Sequence, residues 1–207
     1  MNTRFLGIVD YESTWRAMRE FTDKRTDDSP DELWVCEHHS VYTLGQAGKS
    51  EHILNPSDIP IVKSDRGGQV TYHGPGQVLV YTMVNLRRAG FGVREMVLRL
   101  EKGVIALLAE YSVEAYGRRD APGVYVGDSK IAALGLRVRR GCAYHGIALN
   151  VDPVLSPFLG INPCGYQGLA VTSMQHLGLT IDKNLVATRF VQLVDKQLSA
   201  HSPPSNW

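Results

Sequence analysis

The chain has 207 residues, 43% of them hydrophobic and 21% charged, with 22 basic against 21 acidic side chains and a formal net charge of +1. That size and balance suit one compact α/β domain with a substantial core, so residues 1–207 read as a single domain with a loose tail over 200–207. The near-neutral charge argues against a nucleic-acid binder, which carries a clear basic excess, and no apolar run approaches the roughly 20 residues that cross a bilayer.

The N-terminus, MNTRFLGIVDYEST, lacks the long apolar stretch and small-residue cleavage site of a secretory signal. Phe5 to Val9 reads as a first strand. Tyr11, Trp15, Met18 and Phe21 then recur at helical spacing, a stripe that suits core packing. Leu33 to Glu37 and Val41 to Leu44 read as short strands. Val62 to Tyr72 and Gln77 to Leu86 read as longer ones, separated by the turn at His73 to Gly76. Val93 to Tyr111 is the clearest amphipathic helix, with Val93, Met96, Val97, Leu100, Val104, Leu107, Leu108 and Tyr111 on one face. Three strands follow at Gly123–Val126, Lys130–Val138 and Ala143–Val151, joined by hairpin turns at Gly127-Asp128 and Arg139–Gly141. An irregular stretch, Asp152–Gly168, leads to a helix predicted from about Val171 and a last one over Asp182 to Leu198. Clustered strands without βαβα alternation predict a mixed, largely antiparallel sheet with flanking helices, an α/β fold of the α+β type.

Three segments carry chemistry. The first runs Arg66, Gly67, Gly68, Gln69, Val70, Thr71, Tyr72, His73 and on through Gly74, Pro75, Gly76 and Gln77. Its glycines let backbone lie against a ligand, and its polar side chains exceed what a plain turn needs, although Gly-rich hairpins are also common as pure structure. The second holds Lys130 at the opening of an apolar strand. It reads either as a solvated strand end or as a cleft-facing amine whose pKa burial would lower, making it a base near neutral pH. The third is the loop Ile161-Asn162-Pro163-Cys164-Gly165-Tyr166-Gln167-Gly168. Free cysteines usually behave as small buried hydrophobes, and Cys36 and Cys142, beside apolar strands, read that way. Cys164, between Pro and Gly in an irregular loop, is a candidate reactive thiol. The three cysteines form no even disulfide framework and no C-x-x-C metal pair, which fits a reduced, cytoplasmic setting. Neither G-x-G-x-x-G nor G-x-x-x-x-G-K-[ST] occurs. Arginine clusters at 87–88, 118–119 and 137–140 read either as solvated surface or as docking points for an acidic protein partner.

Together the strings RGGQVTYHGPGQ, APGVYVGDSKIAALGLRVRRGCAYHGIALNV and INPCGYQG resemble the lipoyl(octanoyl) transferases of lipoate biosynthesis, from about Phe5 to Leu198. The resemblance implies the fold of lipoate and biotin protein ligase catalytic domains. It also implies transfer of an octanoyl group from acyl carrier protein to a lysine of lipoyl domains, those of 2-oxoacid dehydrogenase complexes and the glycine cleavage H protein. The chemistry would run through an acyl-cysteine thioester with no cofactor and no metal. Residue by residue, the nucleophile falls on Cys164 and the lysine that activates it on Lys130. Acyl-chain contacts fall on Arg66 to His73, on Ala133, Leu134 and Gly135, and on Gly146, Ile147 and Ala148. His73 reads as lining the site; His145, in an apolar strand, reads first as a satisfied core histidine and second as site-lining. Rival readings are an ATP-dependent lipoate or biotin ligase, a cysteine amidase or peptidase, and a non-catalytic module that binds carrier protein.

Overall fold

The computed structural model describes residues 1–200. The elements run β1 (Asn2–Val9), α1 (Tyr11–Lys24), β2 (Glu32–His38), β3 (Val41–Leu44), β4 (Ile61–Lys63), β5 (Val70–His73), β6 (Gln77–Asn85) and α2 (Leu86–Ala89). There follow α3 (Val93–Glu110), β7 (Tyr116–Gly117), β8 (Val124–Val126), β9 (Ser129–Arg139), β10 (Cys142–Asn150) and α4 (Lys183–Ser199). The loose tail expected over 200–207 falls, beyond Ala200, on residues outside the described ones.

A seven-stranded sheet is ordered β1-β2-β6-β10-β9-β8-β7, antiparallel except for β1 beside β2. A second sheet, β4-β3-β5, lies apart, with β4 parallel and β5 antiparallel to β3. This is the mixed, mostly antiparallel α/β architecture that the clustered strands predict. Alternation along the strands divides the large sheet into two faces. Leu33, Val35, Val80, Ile147 and Leu149 pack with Met96, Leu100, Val104 and Leu107 of α3 and Val186, Phe190 and Val194 of α4. Each such fully buried side chain contributes about 1.5–3 kcal/mol of transfer free energy. On the other face Trp34, Cys36, Leu79, Tyr81, Tyr144 and Ala148 meet Met18 of α1.

The helices start where their caps dictate. Asp10 accepts a hydrogen bond from the Ser13 amide, and Asp182 accepts from the amides of Asn184 and Leu185. The hairpins at Gly127-Asp128 and Arg140-Gly141 form as their turn residues predict. Among the described residues no helix is long and apolar enough to cross a membrane.

Two predicted elements differ. The strand predicted over Val62 to Tyr72 is two strands, β4 and β5, with residues 64–69 as a loop between them. The Arg66 guanidinium explains the break: it donates to the carbonyls of Thr43, Gly67 and Gln69 and to the Thr43 hydroxyl, curling the backbone around itself. The helix predicted from Val171 does not form. Its amides are taken by the sheet instead, Thr172 donating to the Lys130 carbonyl, Met174 to that of Asn150 and Gln175 to that of Val151.

Candidate active site

The cross-strand register of the large sheet creates a hollow. Ala133 of β9 pairs with Ala148 of β10, which pairs with Leu79 of β6. One step along, Gly135 pairs with Gly146, which pairs with Tyr81. Paired residues share a face, so four small residues stand side by side where larger ones would fill the space. The loop 64–69 closes over this trench. Gly67 donates its amide to the Leu136 carbonyl, while Gly45, Gln46 and Ala47 donate theirs to the carbonyls of Gln69, Arg66 and Gly68. The approach at Gly135 is backbone on backbone: a Cβ there would stand 2.7 Å from the Gly67 carbonyl oxygen. The result is a cavity of about 360 Å³.

Lys130 and Cys164 meet at this cavity. The Lys130 Nζ donates to Cys164 Sγ at 3.1 Å and to the Pro122 carbonyl at 3.1 Å, and lies 5.1 Å from the centre of the Tyr125 ring. The two residues are 34 positions apart. They are brought together because the chain leaving the cysteine loop straps the lysine: the Lys130 amide donates to the Ala170 carbonyl, and the Thr172 amide to that of Lys130. Cys164 sits in a short 3-10 turn, Pro163–Gly165, with φ 57° and ψ 15°. This left-handed conformation costs a residue other than glycine about 1–2 kcal/mol, and such strain tends to persist at working sites. The turn is anchored by the Asn162 amide on the His52 carbonyl and by the Tyr166 hydroxyl on the Asp120 carbonyl.

Lys130 is only 3% exposed. It is therefore not the solvated strand end of the first reading but the cleft-facing amine of the second. Burial alone would lower its pKa, as that reading expects, but the charge of Cys164 and hydrogen bonds with Cys164 and Tyr125 outweigh it. The ammonium is held above its ordinary range instead.

Of the residues predicted to hold the acyl chain, Arg66, Gly67, Gly68, Gln69, Val70, Thr71, His73, Ala133, Leu134, Gly135, Gly146, Ile147 and Ala148 border the cavity. Leu134 and Ile147 do so although they also pack in the α3–α4 core. Tyr72 is not among the lining residues. It packs instead against Tyr42 and Phe158, and its hydroxyl meets Ser40. Arg66 borders the cavity chiefly as a brace, since its donors are occupied by backbone and Thr43.

Both histidines of interest are buried and border the cavity. The His73 Nδ1 meets the Gln77 side-chain oxygen at 2.6 Å, and burial pushes its pKa down to about 3, leaving it neutral. His145 meets Asp65 at 2.8 Å; burial lowers its pKa and the Asp65 carboxylate offsets part of that. Asp65 also accepts from Trp15 and Tyr144, a network that ties α1 to β10. Cys36 and Cys142 are buried, as their apolar contexts predict. Several clustered arginines are engaged nearby: Arg88 with Asp31, Arg118 with Asp120 and Arg139 with Asp23.

Tyr11, Leu79, Tyr81, Val93 and Val97 also border the cavity and carry no motif that marks them; Pro122 and Tyr166 border it too, within the motif strings but not singled out by them. Leu79 and Tyr81 alternate along β6, a signal that becomes useful only once their pairing with β10 is known. Among the described residues no group of three or more histidines, cysteines or acids stands ready for a metal.

Comparison with known proteins bears on the fold and the family. Residues 10–195 match the model of the lipoyl protein ligase A/B catalytic domain. An octanoyltransferase of Shewanella frigidimarina is 54% identical over 206 residues, covering 97% of this chain and 95% of that protein. Among solved structures, the bipartite lipoate protein ligase of Thermoplasma acidophilum superposes with a TM-score of 0.74 at 13% identity, over 96% of this chain and 84% of that one. The biotin protein ligase of Aquifex aeolicus gives 0.58 at 12% identity, over 96% and 69%. At such identities these two structures speak for the fold alone, whereas the family model and the sequence relative go further: the chain belongs to the lipoyl protein ligase A/B catalytic-domain family.

Proposed function

We propose that this protein is an acyltransferase, working as one catalytic unit in the cytoplasm. It takes an octanoyl group from acyl carrier protein onto Cys164 and passes it to a lysine of lipoyl domains, those of 2-oxoacid dehydrogenase complexes and of the glycine cleavage H protein. The observation that carries the reading is the Lys130–Cys164 contact of 3.1 Å at the cavity lined by small residues.

The first half-reaction needs a sulfur nucleophile, and the thiolate is the reactive form. The Lys130 ammonium beside it stabilises that charge. The thiolate attacks the carrier thioester, a new C–S bond forms as the carrier's own C–S bond breaks, and the departing carrier sulfur takes the proton that Lys130 held. One thioester is exchanged for another, so no ATP is required. In the second half-reaction the acylated sulfur is neutral, and Lys130 loses the anion that held its proton. It can then accept a proton from the incoming lysine amine as that nitrogen attacks the acyl carbon, and return it to the departing Cys164 sulfur. Forming an amide from a thioester drives this step. Splitting the transfer in two lets bulky protein partners visit in turn.

The acyl chain would lie along Ala133, Gly135, Gly146 and Ala148. At ~0.8 kcal/mol per buried methylene, an eight-carbon chain contributes roughly 5 kcal/mol. Initial rates with octanoyl-carrier protein and a lipoyl domain varied in turn, without ATP, test the order of events. Parallel double-reciprocal lines are expected for the covalent intermediate; intersecting lines would contradict it.

A further inference from the structure

Across the Pro122–Gly123 peptide from Lys130 lies a carboxylate to which the proposed chemistry gives no part. Glu101 of α3 is 5% exposed, and its Oε1 accepts from the Gly123 amide at 2.8 Å. That amide and the Pro122 carbonyl belong to one peptide unit. The carbonyl is the same one that receives the Lys130 Nζ at 3.1 Å. In a trans peptide the N–H and C=O point in opposite directions. One peptide group is therefore gripped from both sides, its amide by a carboxylate and its carbonyl by an ammonium, with its dipole aligned between them. No bulk can intrude: Gly123 has φ +142°, and a Cβ there would stand 3.0 Å from Lys130 Cε and 2.7 Å from the Ala132 carbonyl oxygen.

We infer that Glu101 is a positioning residue for the acyl transfer, fixing the Pro122–Gly123 peptide so that Lys130 is aimed at Cys164 and supplying the buried countercharge that remains when the sulfur is acylated. The inference rests on the reading in which Lys130 serves an acyl-cysteine. Lys130 is faced by Cys164 from its loop, by Tyr125 from β8 and by Glu101 from α3. Arg118 lies over Tyr125 and is itself paired with Asp120. Glu101 is faced by Lys130 and the Gly123 amide, and closely by Gly117 of β7. Arg99, two positions earlier on α3, is turned toward Glu95 and the carbonyls at the end of α4. In the free enzyme the thiolate and Glu101 share the ammonium. After acylation only Glu101 remains, and it sets how readily Lys130 gives up its proton to become the base.

The test separates position from charge. Wild type, E101Q, E101D and E101A are loaded with octanoyl-carrier protein and followed by intact mass, then discharged onto a lipoyl domain in single turnovers from about pH 6 to pH 10. Gln keeps an oxygen for the Gly123 amide but removes the charge. E101Q should load nearly as fast as wild type, because the carboxylate opposes the thiolate while it favours the ammonium. Its discharge midpoint should move to lower pH by about one unit, since an opposite charge favours the protonated amine. Asp, with its charge drawn back from the peptide, should give a smaller shift in the same direction. Ala should slow both steps by roughly tenfold, with loading restored by Gln. A discharge profile of E101Q and E101D superposed on wild type, with loading normal, would overturn the inference alone. A wild type that takes up no octanoyl mass would sink the acyl-cysteine reading and this inference with it.

Discussion

Ala133→Leu probes whether the trench of small residues sets acyl length. Ala133 is half-buried on the cavity face of β9, opposite Ala148 and beyond it Leu79. Leucine adds three carbons on the cavity face, in the trench where the acyl chain is proposed to lie. If three carbons of the chain are displaced at ~0.8 kcal/mol each, octanoyl transfer loses about 2.4 kcal/mol of binding. At 1.36 kcal/mol per factor of ten this is roughly 60-fold. A pentanoyl group, stopping short of the new side chain, should be affected little. The assay is a series of acyl-carrier thioesters of graded length competing for one lipoyl domain, read by the mass of the product. The variant should favour the shorter chains by tens of fold relative to wild type. An octanoyl-to-pentanoyl ratio unchanged from wild type would refute the placement of the chain in this trench.

Two further outcomes follow from the same geometry. Lys130→Ala removes the cation 3.1 Å from the sulfur. Alkylation of Cys164 by iodoacetamide at neutral pH should then fall by roughly tenfold or more, because an opposite charge at such range typically favours an ionised group by about 10- to 1000-fold. Unaltered alkylation would count against the pair. Asp65→Asn tests the network joining α1 to β10. Burial would raise the Asp65 pKa, but hydrogen bonds from His145, Tyr144 and Trp15 and the charge of His145 override it and hold the carboxyl far below its ordinary 3.8. A depressed carboxyl stabilises the fold above its unfolded value and loses that contribution as pH falls toward the folded one. Thermal melts between about pH 3 and pH 7 should therefore show wild type weakening below about pH 4 and the variant weakening less. At neutral pH the variant should be less stable by about 1–3 kcal/mol, and an identical acid limb in both proteins would remove the claim.

What could be read from sequence was local. The stripe of α3, the last helix expected over Asp182 to Leu198 and the turns expected at Gly127-Asp128 and Arg139–Gly141 each depend on residues a few positions apart, and each forms close to its expected bounds. The loop 64–69 was not legible because its shape comes from the Arg66 side chain reaching the carbonyl of Thr43, 23 residues away. The stretch from Val171 is predicted to be helical, yet its amides find partners along the sheet at Lys130, Asn150 and Val151. The site shows the same division. Cys164 stands out by its loop and Lys130 by its motif, but their meeting is purely tertiary. Of the contiguous run Val70 to His73, Tyr72 alone does not border the cavity, because its ring is taken up by Tyr42 and Phe158, partners that only folding supplies. Glu101 and Asp65 carry no motif, and only folding shows what they hold.

The central claim can be tested most directly by weighing the intact protein after mixing with octanoyl-carrier protein alone. One added octanoyl group, released by hydroxylamine and mapped to Cys164, is predicted, with none on Cys164→Ser and no modification of a lipoyl domain by that variant. An octanoyl group on another residue, or a serine variant that modifies lipoyl domains at the wild-type rate, would contradict the account.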